Sequence, residues 1–385
     1  MAILEITSPQ YWILPESSDL ARDWVDQVHK KEMLDYAISQ KNNYDFKTIF
    51  YSVSYCRERG HFYALGPLLL NLGTDLLPMT ARFSIDGGKS FTDVDCVPIQ
   101  RSVSIGLNIR LMHVGVLEQE NLVLELTLAN GLRKTFNFKN TPKSKVNLVI
   151  NTLQKDNEIN WIVDWINYYR SFGVFSFHIY DNNSSNFDDL VGALRDDISD
   201  DTSIEITKWP FKYGIPKLGQ SMFSQKASIL EFALQSQNAK WAINCDIDEY
   251  IYTRNGDTTL YEYLSKFDDD IGCVQFSCFD APLVKGVSYP SNISVRNLVW
   301  RMRQHKEKFK NGFRPSTIES ASVHFVNLKH GFKAINPDAK DAFYLHALPL
   351  NTGWEKKHKG QGHRQLSESQ IVKDERIARR MNVTD

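Results

Sequence analysis

Three carboxylates occur within four residues in the segment Asp246-Ile-Asp-Glu249, directly after the apolar run Trp241–Cys245. Carboxylates this close repel one another unless a cation lies among them. Hard divalent ions prefer oxygen ligands, and Asp246 and Asp248 can converge on one ion if the chain turns at Ile247. The segment therefore predicts a divalent-metal site, with a solvated acidic loop as the alternative.

Two other polar clusters follow predicted strands. The first is Asn151-Thr-Leu-Gln-Lys-Asp-Asn-Glu158, and the second contains Asp181, Asn182 and Ser184. The side chains of the second cluster have the donors and acceptors that would hydrogen-bond a ribose or a base. Asp, Asn and Ser are also ordinary turn and cap residues, so a purely structural role is the alternative.

Strands and helices are predicted to alternate through this part of the chain, and Gly173 is expected to end the first helix. The predicted strands are Val146–Asn151, Val174–Tyr180, Ile204–Trp209 and Trp241–Cys245, and the predicted helices are Asn157–Phe172, Leu190–Leu194 and Ser221–Ser236. Such alternation is typical of an α/β fold with a mostly parallel sheet. In such sheets ligands bind beyond the carboxyl ends of the strands, where the polar clusters fall.

The first 145 residues have a different pattern and carry no recognisable chemical motif. A helix is expected over Leu20–Ile38, followed by short β-type runs that turn signals separate, which suggests a β-sandwich. These runs are Thr48–Tyr55, Met79–Ile85, Ser102–Val114, Leu122–Leu128 and Leu132–Phe138. The polar segment Asn140–Lys145 is the candidate linker. The sequence therefore predicts a β-rich module over residues 1–145 and an α/β domain with a C-terminal helical tail over residues 146–385.

In their order along the chain, these features resemble glycosyltransferase family 92 and its bacterial family-2-like relatives. The resemblance covers about 220 residues and departs from the family pattern in two places, with Asp156 inserted before Asn157 and Leu345-His-Ala347 where a His-Tyr pair is usual. The matching features are Lys155-Asp-Asn-Glu158, Trp165-Ile-x-Tyr-Tyr-Arg170, Gly173-Val174, Ile179-Tyr-Asp-Asn-x-Ser184, Gln225, Asp246-Ile-Asp-Glu-Tyr250, Phe276–Pro282, Lys308, Arg314-Pro315, Val323-His324 and Tyr344-Leu-His346.

The resemblance implies a Rossmann-like GT-A fold, a nucleotide-sugar donor, by family habit a UDP-sugar, and a divalent ion, Mn²⁺ or Mg²⁺. By the same resemblance, Asp246 and Asp248 would hold the metal and the diphosphate, and His346 would be a further metal ligand. The residues expected to contact the donor are Glu158, Asp181, Asn182, Gln225 and Lys308.

The residues around His346 agree with a metal ligand. Asp341–His346 is predicted to be a short apolar strand that ends in the histidine. An imidazole ligand favours Mn²⁺ over Mg²⁺, because nitrogen ligands suit transition metals better than hard alkaline-earth ions. The competing histidine is His324, which lies on the apolar run Val323–Leu328 and is interpreted as a hydrogen-bonded core residue.

An inverting transfer needs a carboxylate that takes the proton of the acceptor hydroxyl. The candidate is Asp280, in Phe276-Ser-Cys-Phe-Asp-Ala-Pro282, and its alternative role is that of a turn residue before the proline. Glu249 is the rival base, although its position beside the aspartates suggests a supporting role.

Seven cations and a single acid, Glu307, lie between Arg296 and Arg314. The usual interpretation of such a run is a solvated face, and the functional alternative is binding of the donor diphosphate or of an anionic acceptor glycan. The cations are Arg296, Arg301, Arg303, Lys306, Lys308, Lys310 and Arg314.

The whole-chain composition narrows the classes of protein. The chain has 385 residues, which suggests two domains, and a formal net charge of −1, which gives no reason to expect a nucleic-acid partner. Its five cysteines include no CxxC pair, which fits a reducing compartment. No signal-peptide pattern or spanning apolar run is found, so a cytoplasmic protein is expected, with peripheral association at the inner face of a membrane left open.

The sequence therefore predicts a metal-dependent glycosyltransferase of the hexosyltransferase type. Its acceptor would be a glycan or glycolipid, as in the synthesis of a surface polysaccharide. The enzyme alternative is a metal-dependent nucleotidyltransferase, although the basic glycine-rich phosphate loop of that class is missing at Asn151–Glu158. The non-enzyme alternative is a carbohydrate-binding or scaffold protein. The donor sugar, the linkage and the oligomeric state stay open.

Overall fold

The chain divides into two compact units. The computed structural model describes residues 3–21, 47–99, 107–212, 223–254, 259–284, 287–288, 292–350 and 366–381. The first unit comprises Met1–Thr7, Lys145–Lys208 and Ala239–Asp385, and the second comprises Ser8–Ser144 and Trp209–Asn238. None of the helices in the described residues combines the length and the apolar character that crossing a membrane requires.

The strands are numbered in chain order. They are β1 Ile3–Thr7, β2 Gln10–Ile13, β3 Thr48–Cys56, β4 His61–Pro67, β5 Thr80–Ser84, β6 Thr92–Val94, β7 Val97–Pro98, β8 Leu107–His113, β9 Asn121–Thr127, β10 Arg133–Lys139, β11 Val146–Gln154, β12 Ser176–Asp181, β13 Ser203–Lys208, β14 Ala239–Asn244, β15 Glu249–Thr253, β16 Ile271–Ala281, β17 Trp300–Met302, β18 Lys306–Phe313, β19 Ile318–Ala321, β20 Val326–Leu328, β21 Lys333–Ile335, β22 Ala342–Ala347 and β23 Ile371–Lys373.

The α-helices are α1 Leu72–Leu76, α2 Ile159–Ser171, α3 Phe187–Asp197, α4 Phe223–Gln235, α5 Leu260–Leu264 and α6 Arg376–Met381. Single 3₁₀ turns lie at Arg57–Arg59, Val295–Asn297, Pro315–Thr317 and Leu348–Leu350.

The first unit is built on a ten-stranded mixed sheet with the order β1-β13-β12-β11-β14-β18-β16-β22-β15, and β21 also pairs with β16. The five strands from β1 to β14 are parallel, as are the pairs β16–β22 and β16–β21. β18 runs antiparallel to both of its neighbours, and β15 runs antiparallel to β22. The predicted α/β class with a mostly parallel sheet is therefore confirmed.

Helix α2 shows why this part of the chain folds as predicted. Its buried residues Ile162, Trp165, Ile166 and Tyr169 recur at helical spacing and belong to the main core of the unit. The helix ends where predicted, because Gly173 has a φ of 76°, in the left-handed region that favours glycine.

The second unit contains two antiparallel sheets, with the orders β2-β3-β4-β8-β7 and β10-β9-β5-β6. Phe50 and Phe62 of the first sheet and Leu124 and Phe136 of the second belong to one hydrophobic cluster. This is the two-layer arrangement of a β-sandwich, as the sequence suggested. The predicted helix over Leu20–Ile38 lies, from residue 22 onward, outside the described residues.

The division between the units corrects the predicted split at residue 145 in two places. Strand β1 pairs in parallel with β13 and so belongs to the first unit, although it lies at the N-terminus. Helix α4 belongs to the second unit, where Ser52 donates a buried hydrogen bond of 2.7 Å to Glu231 of the helix. The apolar pattern of a short segment shows that it is buried but not which sheet buries it.

Strand β4 was missed by the sequence analysis. Its residues from Phe62 to Pro67 are all buried, so the run lacks the alternation of a half-exposed strand, and it contains a glycine and a proline. Its position between β3 and β8, inside a sheet that is packed on both faces, explains this continuous burial.

Replacement of Gly173 by alanine is expected to destabilise the first unit by about 1–3 kcal/mol, because the residue would have to keep a positive φ. A Cβ atom there would also lie 2.5 Å from Cγ2 of Thr259. Chemical denaturation measures the change. The matched control is Gly192→Ala in α3, where the added Cβ meets nothing within 4 Å and helix propensity should make the change neutral or stabilising. Equal effects of the two substitutions would contradict the prediction.

Candidate active site

The acidic motif forms a tight turn between β14 and β15. The Glu249 N–H donates to the Asp246 carbonyl at 2.9 Å, so the chain turns at Ile247 as expected. The Cys245 N–H donates to the carbonyl of Asn151 at 2.9 Å and ties the turn to the end of β11. Asp246 is partly exposed, whereas Asp248 and Glu249 are buried.

Lys310 of β18 supplies a cation that the turn needs. Its side chain is fully buried, and Nζ lies 2.8 Å from Oδ2 of Asp246 and 2.7 Å from Oε2 of Glu249. Burial opposes the charge of Lys310, but the two carboxylates outweigh it and raise the pKa of the ammonium. The pKa of Asp246 is lowered, because Lys310 outweighs the effect of burial there. Burial raises the pKa of Glu249 above its usual value, although Lys310 pulls in the opposite direction.

His346 lies on β22, which runs between β15 and β16, and its Cα is paired with those of Glu249 and Asp280. Nε2 lies 3.4 Å from Oδ2 of Asp248, and Nδ1 lies 3.2 Å from Oδ1 of Asp280. Burial favours the neutral imidazole, but the bonds to Asp248 and Asp280 outweigh it and raise the pKa of His346 to about 10. The two carboxylates therefore favour the protonated imidazole over the neutral one.

Asp280, at the end of β16, has a partner on each of its carboxylate oxygens. Oδ1 contacts His346, and Oδ2 forms an ion pair with Lys306. Burial would raise the pKa of Asp280, but its two cationic partners outweigh burial and lower it. We call Asp246, Asp248, Glu249, Asp280 and His346, together with Lys306 and Lys310, the carboxylate cluster.

Part of the carboxylate cluster has the geometry of a metal site. The ligand atoms of Asp248, Glu249 and His346 lie within 4.8 Å of one another, and Cys278 forms a second such group with Asp280 and His346. Carboxylate oxygens with one imidazole are a donor set that Mn²⁺ accepts. Burial raises the pKa of the Cys278 thiol to about 12, which disfavours the thiolate that would bind a metal. Asp246 belongs to neither group, and its Oδ2 is bound to Lys310.

The predicted nucleoside ligands lie on the same edge of the sheet. Asp181 ends β12 and Asn182 follows it, and one strand, β11, separates β12 from β14, which leads into Asp246. Asp181 and Asn182 are both buried. The carboxylate of Asp181 accepts from Nε2 of Gln154 and, at 3.1 Å, from the Ser184 N–H. Glu158 is exposed at the start of α2 and makes no side-chain cap. Asp181 therefore has the turn-forming role that the structural alternative expected. Binding of a donor by Asp181, Asn182 and Glu158 stays a prediction.

The two remaining predicted donor ligands belong to other elements of the chain. Gln225 is a buried residue of α4 and belongs to the second unit. Lys308 is exposed on β18, two residues before Lys310. The prediction for both residues is untested by this geometry.

The basic run is neither a simple solvated face nor a single binding site. Lys310 and Lys306 belong to the carboxylate cluster, which sequence reasoning did not recognise. The predicted repulsion within the acidic motif was a signal for such a cation, but nothing local distinguished these lysines from Lys308. The interpretation of His324 as a core residue is wrong, because it is exposed beyond β19, with Nδ1 3.4 Å from the Phe309 carbonyl.

Comparison with known proteins identifies one family. The sequence profile of glycosyltransferase family 92 matches residues 150–381, more than half of the chain. A family 92 protein of Oryza sativa subsp. japonica is 26% identical over 188 residues, covering 47% of this chain and 30% of that protein. One from Ricinus communis is 24% identical over 204 residues, covering 49% and 33%. The chain therefore spans about a third of the length of these relatives.

Solved structures are similar only at a low level. The mannosyltransferase Ktr4p from S. cerevisiae, solved in complex with GDP, is 10% identical and has a TM-score of 0.24. The match covers 34% of this chain and 40% of that one.

Replacement of Lys310 by methionine should lower the free energy of unfolding by about 3–5 kcal/mol, because it leaves buried carboxylates without their cation. The matched control is Lys308→Met, an exposed lysine on the same strand, which should change stability by less than about 0.5 kcal/mol. Denaturation at pH 7 in chelator measures both. Similar small effects of the two substitutions would show that the ion pairs of Lys310 with Asp246 and Glu249 do not stabilise the turn.

The contribution of His346 to the free energy of unfolding should decrease as the pH rises. Its pKa is raised from 6.5 to about 10 in the folded chain. The stabilisation is therefore fully present below pH 6.5 and is lost as the pH rises towards 10. In chelator, the difference in unfolding free energy between wild type and His346→Ala should be larger at pH 6 than at pH 10. A difference that stays constant, or one that exposed His330→Ala reproduces, would contradict this.

Proposed function

This chain belongs to glycosyltransferase family 92, and on that premise we propose that it transfers a sugar from a nucleoside-diphosphate sugar to a glycan or glycolipid acceptor with a divalent metal ion. The observation that carries the proposal is the convergence of Asp248, Glu249 and His346 at the carboxyl edge of the α/β sheet. Family membership implies the GT-A kind of fold, with which the mostly parallel sheet agrees.

Asp248 and His346 would hold the ion, with Asp246 beside them on the same turn. Asp280 binds Nδ1 of His346 and leaves Nε2 directed towards Asp248. A carboxylate that fixes the outer nitrogen of a ligand histidine is the usual support of such a site. A bound Mn²⁺ or Mg²⁺ would stabilise the negative charge that develops on the diphosphate leaving group.

Protonation of His346 sets a condition on this role. A ligand imidazole must be neutral, so a bound cation has to replace the proton that Asp248 and Asp280 stabilise. The carboxylates that raise the pKa of His346 are thus the groups that would attract the metal ion. Binding of the ion should release a proton from the site.

We propose that one of the two carboxylates predicted from the sequence, Asp280 or Glu249, accepts the proton in an inverting transfer. Both oxygens of Asp280 have cationic partners, which fits orientation of His346 better than removal of a proton. Glu249 has the raised pKa that suits a general base, and Lys310 occupies its Oε2. Glu249 is therefore the stronger of the two candidates.

The donor would lie along the carboxyl edge of β12, β11 and β14. Its diphosphate would lie beside Asp246 and Asp248, and Asp181 and Asn182 would face the nucleoside. We propose a uridine diphosphate sugar, with Glu158 and Lys308 as further donor contacts. A hexose as the transferred sugar and a surface polysaccharide as the product complete the proposal.

Binding of UDP should depend on a divalent metal ion. Calorimetry with the full chain should show an affinity at least about ten-fold higher in Mn²⁺ than in excess chelator, because a bridging cation contributes several kcal/mol. Asp248→Asn should abolish most of this difference, and the double variant with His346→Ala should lose little more, because both residues act on one ion.

Exposed Asp341→Asn is a control carboxylate outside the carboxylate cluster, at the end of the loop before β22, and should bind UDP as wild type does. Equal UDP affinity in Mn²⁺ and in chelator would exclude a metal-dependent donor site.

A further inference from the structure

The strand that carries Asp280 presents different chemistry on its two faces. Successive side chains of a strand point to opposite faces of the sheet. On β16, Asp280 faces His346, whereas Ser277 and Phe279 line a cavity of about 870 Å³. Phe279 also packs edge-on against Phe343 of β22, with ring centroids 5.2 Å apart. The cavity therefore lies on the face of the sheet opposite to the carboxylate cluster.

The basic run is divided between these faces. Lys306 and Lys310 reach the carboxylate cluster, while Arg301, Arg303 and His305 line the cavity. The pattern that looked like a uniform charged segment thus supplies cations to two separate places.

Two guanidinium groups of the cavity are held rigidly on a single carboxylate. Nε of Arg301 donates to Asp374 at 2.6 Å, and its guanidinium lies 4.1 Å from the centre of the Phe279 ring. Arg376 donates to both oxygens of Asp374 and lies 4.6 Å from the centre of the Tyr252 ring. Burial would raise the pKa of Asp374, but bonds from Arg376 and Arg301 lower it to about 2. One carboxylate thus balances only one of two fixed positive charges.

Two further cations leave the cavity positively charged. Arg303 and Lys340 line it, and within the described part of the chain neither has a carboxylate partner. Nε of Arg303 donates to the carbonyl of Glu368 at 3.1 Å, which positions the guanidinium and leaves its charge uncompensated. Among the described residues that line the cavity, the one carboxylate is Asp338, whose Oδ1 accepts from the Lys340 N–H at 2.8 Å.

We propose that this cavity is a second binding site, which takes an oxyanion: a phosphate, either free or as the acidic group of a saccharide. The bonds to Asp374 and, from Nη1 of Arg301, to the Met302 carbonyl fix both guanidinium groups in place. Guanidinium groups held in this way offer their remaining N–H donors and their charge to phosphate oxygens. The side chains of Arg303 and Lys340 add charge from the rim. The site is separate from the proposed donor site and does not depend on the proposed transfer reaction.

The test is calorimetry of the full chain with inorganic phosphate, at low ionic strength in chelator and without nucleotide. Arg303→Gln combined with Lys340→Gln should lower the phosphate affinity at least about ten-fold, because two charge-assisted contacts are lost. Neither residue belongs to the Asp374 ion pairs, so the fold should persist, which circular dichroism checks. The matched control is Lys266→Gln, an exposed cation outside the cavity, which should bind phosphate as wild type does.

Three further measurements complete the test. Glucose 6-phosphate that binds more tightly than inorganic phosphate would identify a saccharide ester as the ligand, and equal affinity would identify the anion alone. Glucose should not bind at all. Unchanged phosphate affinity in the double variant, or stoichiometric displacement of phosphate by UDP with Mn²⁺, would overturn the proposal. The phosphate measurement contains no nucleotide donor. Failure of the proposed phosphate site can therefore be distinguished from failure of the proposed function.

Discussion

The rest of the candidate site depends on the ion pairs that the buried ammonium of Lys310 forms with two carboxylates. Nζ of Lys310 lies within 2.8 Å of both Asp246 and Glu249, so one carboxylate can lie in the turn after β14 and another can begin β15. A buried carboxylate without a partner is costly, and a fully buried lysine is as well. The strand order explains how they meet, because β18 is inserted directly beside β14. The acidic turn is thus a product of the sheet as much as of its own residues.

Side chains alternate along β16 and β18, so the two faces of the sheet carry different functional groups. Asp280 and Lys306 face the carboxylate cluster, whereas Phe279 and Phe309 line the cavity of the proposed second binding site. The register is irregular between Ser277 and Cys278, where the pairing with β18 shifts. Such bulges redirect side chains beside functional sites. Cations that are close together in the sequence therefore pair with carboxylates on one face of the sheet and line a cavity on the other face.

The inserted residue of the Lys155–Glu158 segment has a structural explanation. Asp156 adopts a φ of 50°, and its Oδ1 accepts from the Ser185 N–H at 2.7 Å. Its own N–H donates to Oγ of Ser184 at 3.0 Å. These bonds join the loops after β11 and β12. The departure from the family pattern thus stabilises the edge where a donor is proposed to bind.

Much of the architecture followed from local sequence patterns. The alternation of strands and helices, the end of α2 at Gly173 and the turn at Ile247 are set by residues close together in the chain, whose spacing and backbone preferences can be recognised directly. His346 was found only through its family resemblance, since a histidine at the end of a short strand has many possible roles.

Only the tertiary structure decided which residues meet. Lys310 is 64 residues from Asp246, and within its charged run it looked no different from exposed Lys308. Strand β1 joined the first unit and helix α4 the second, against the linear division of the chain. The physical reason is the same in each case. Periodicity records that a side chain is buried or exposed, but its neighbours depend on strand order and register, which the whole sheet determines.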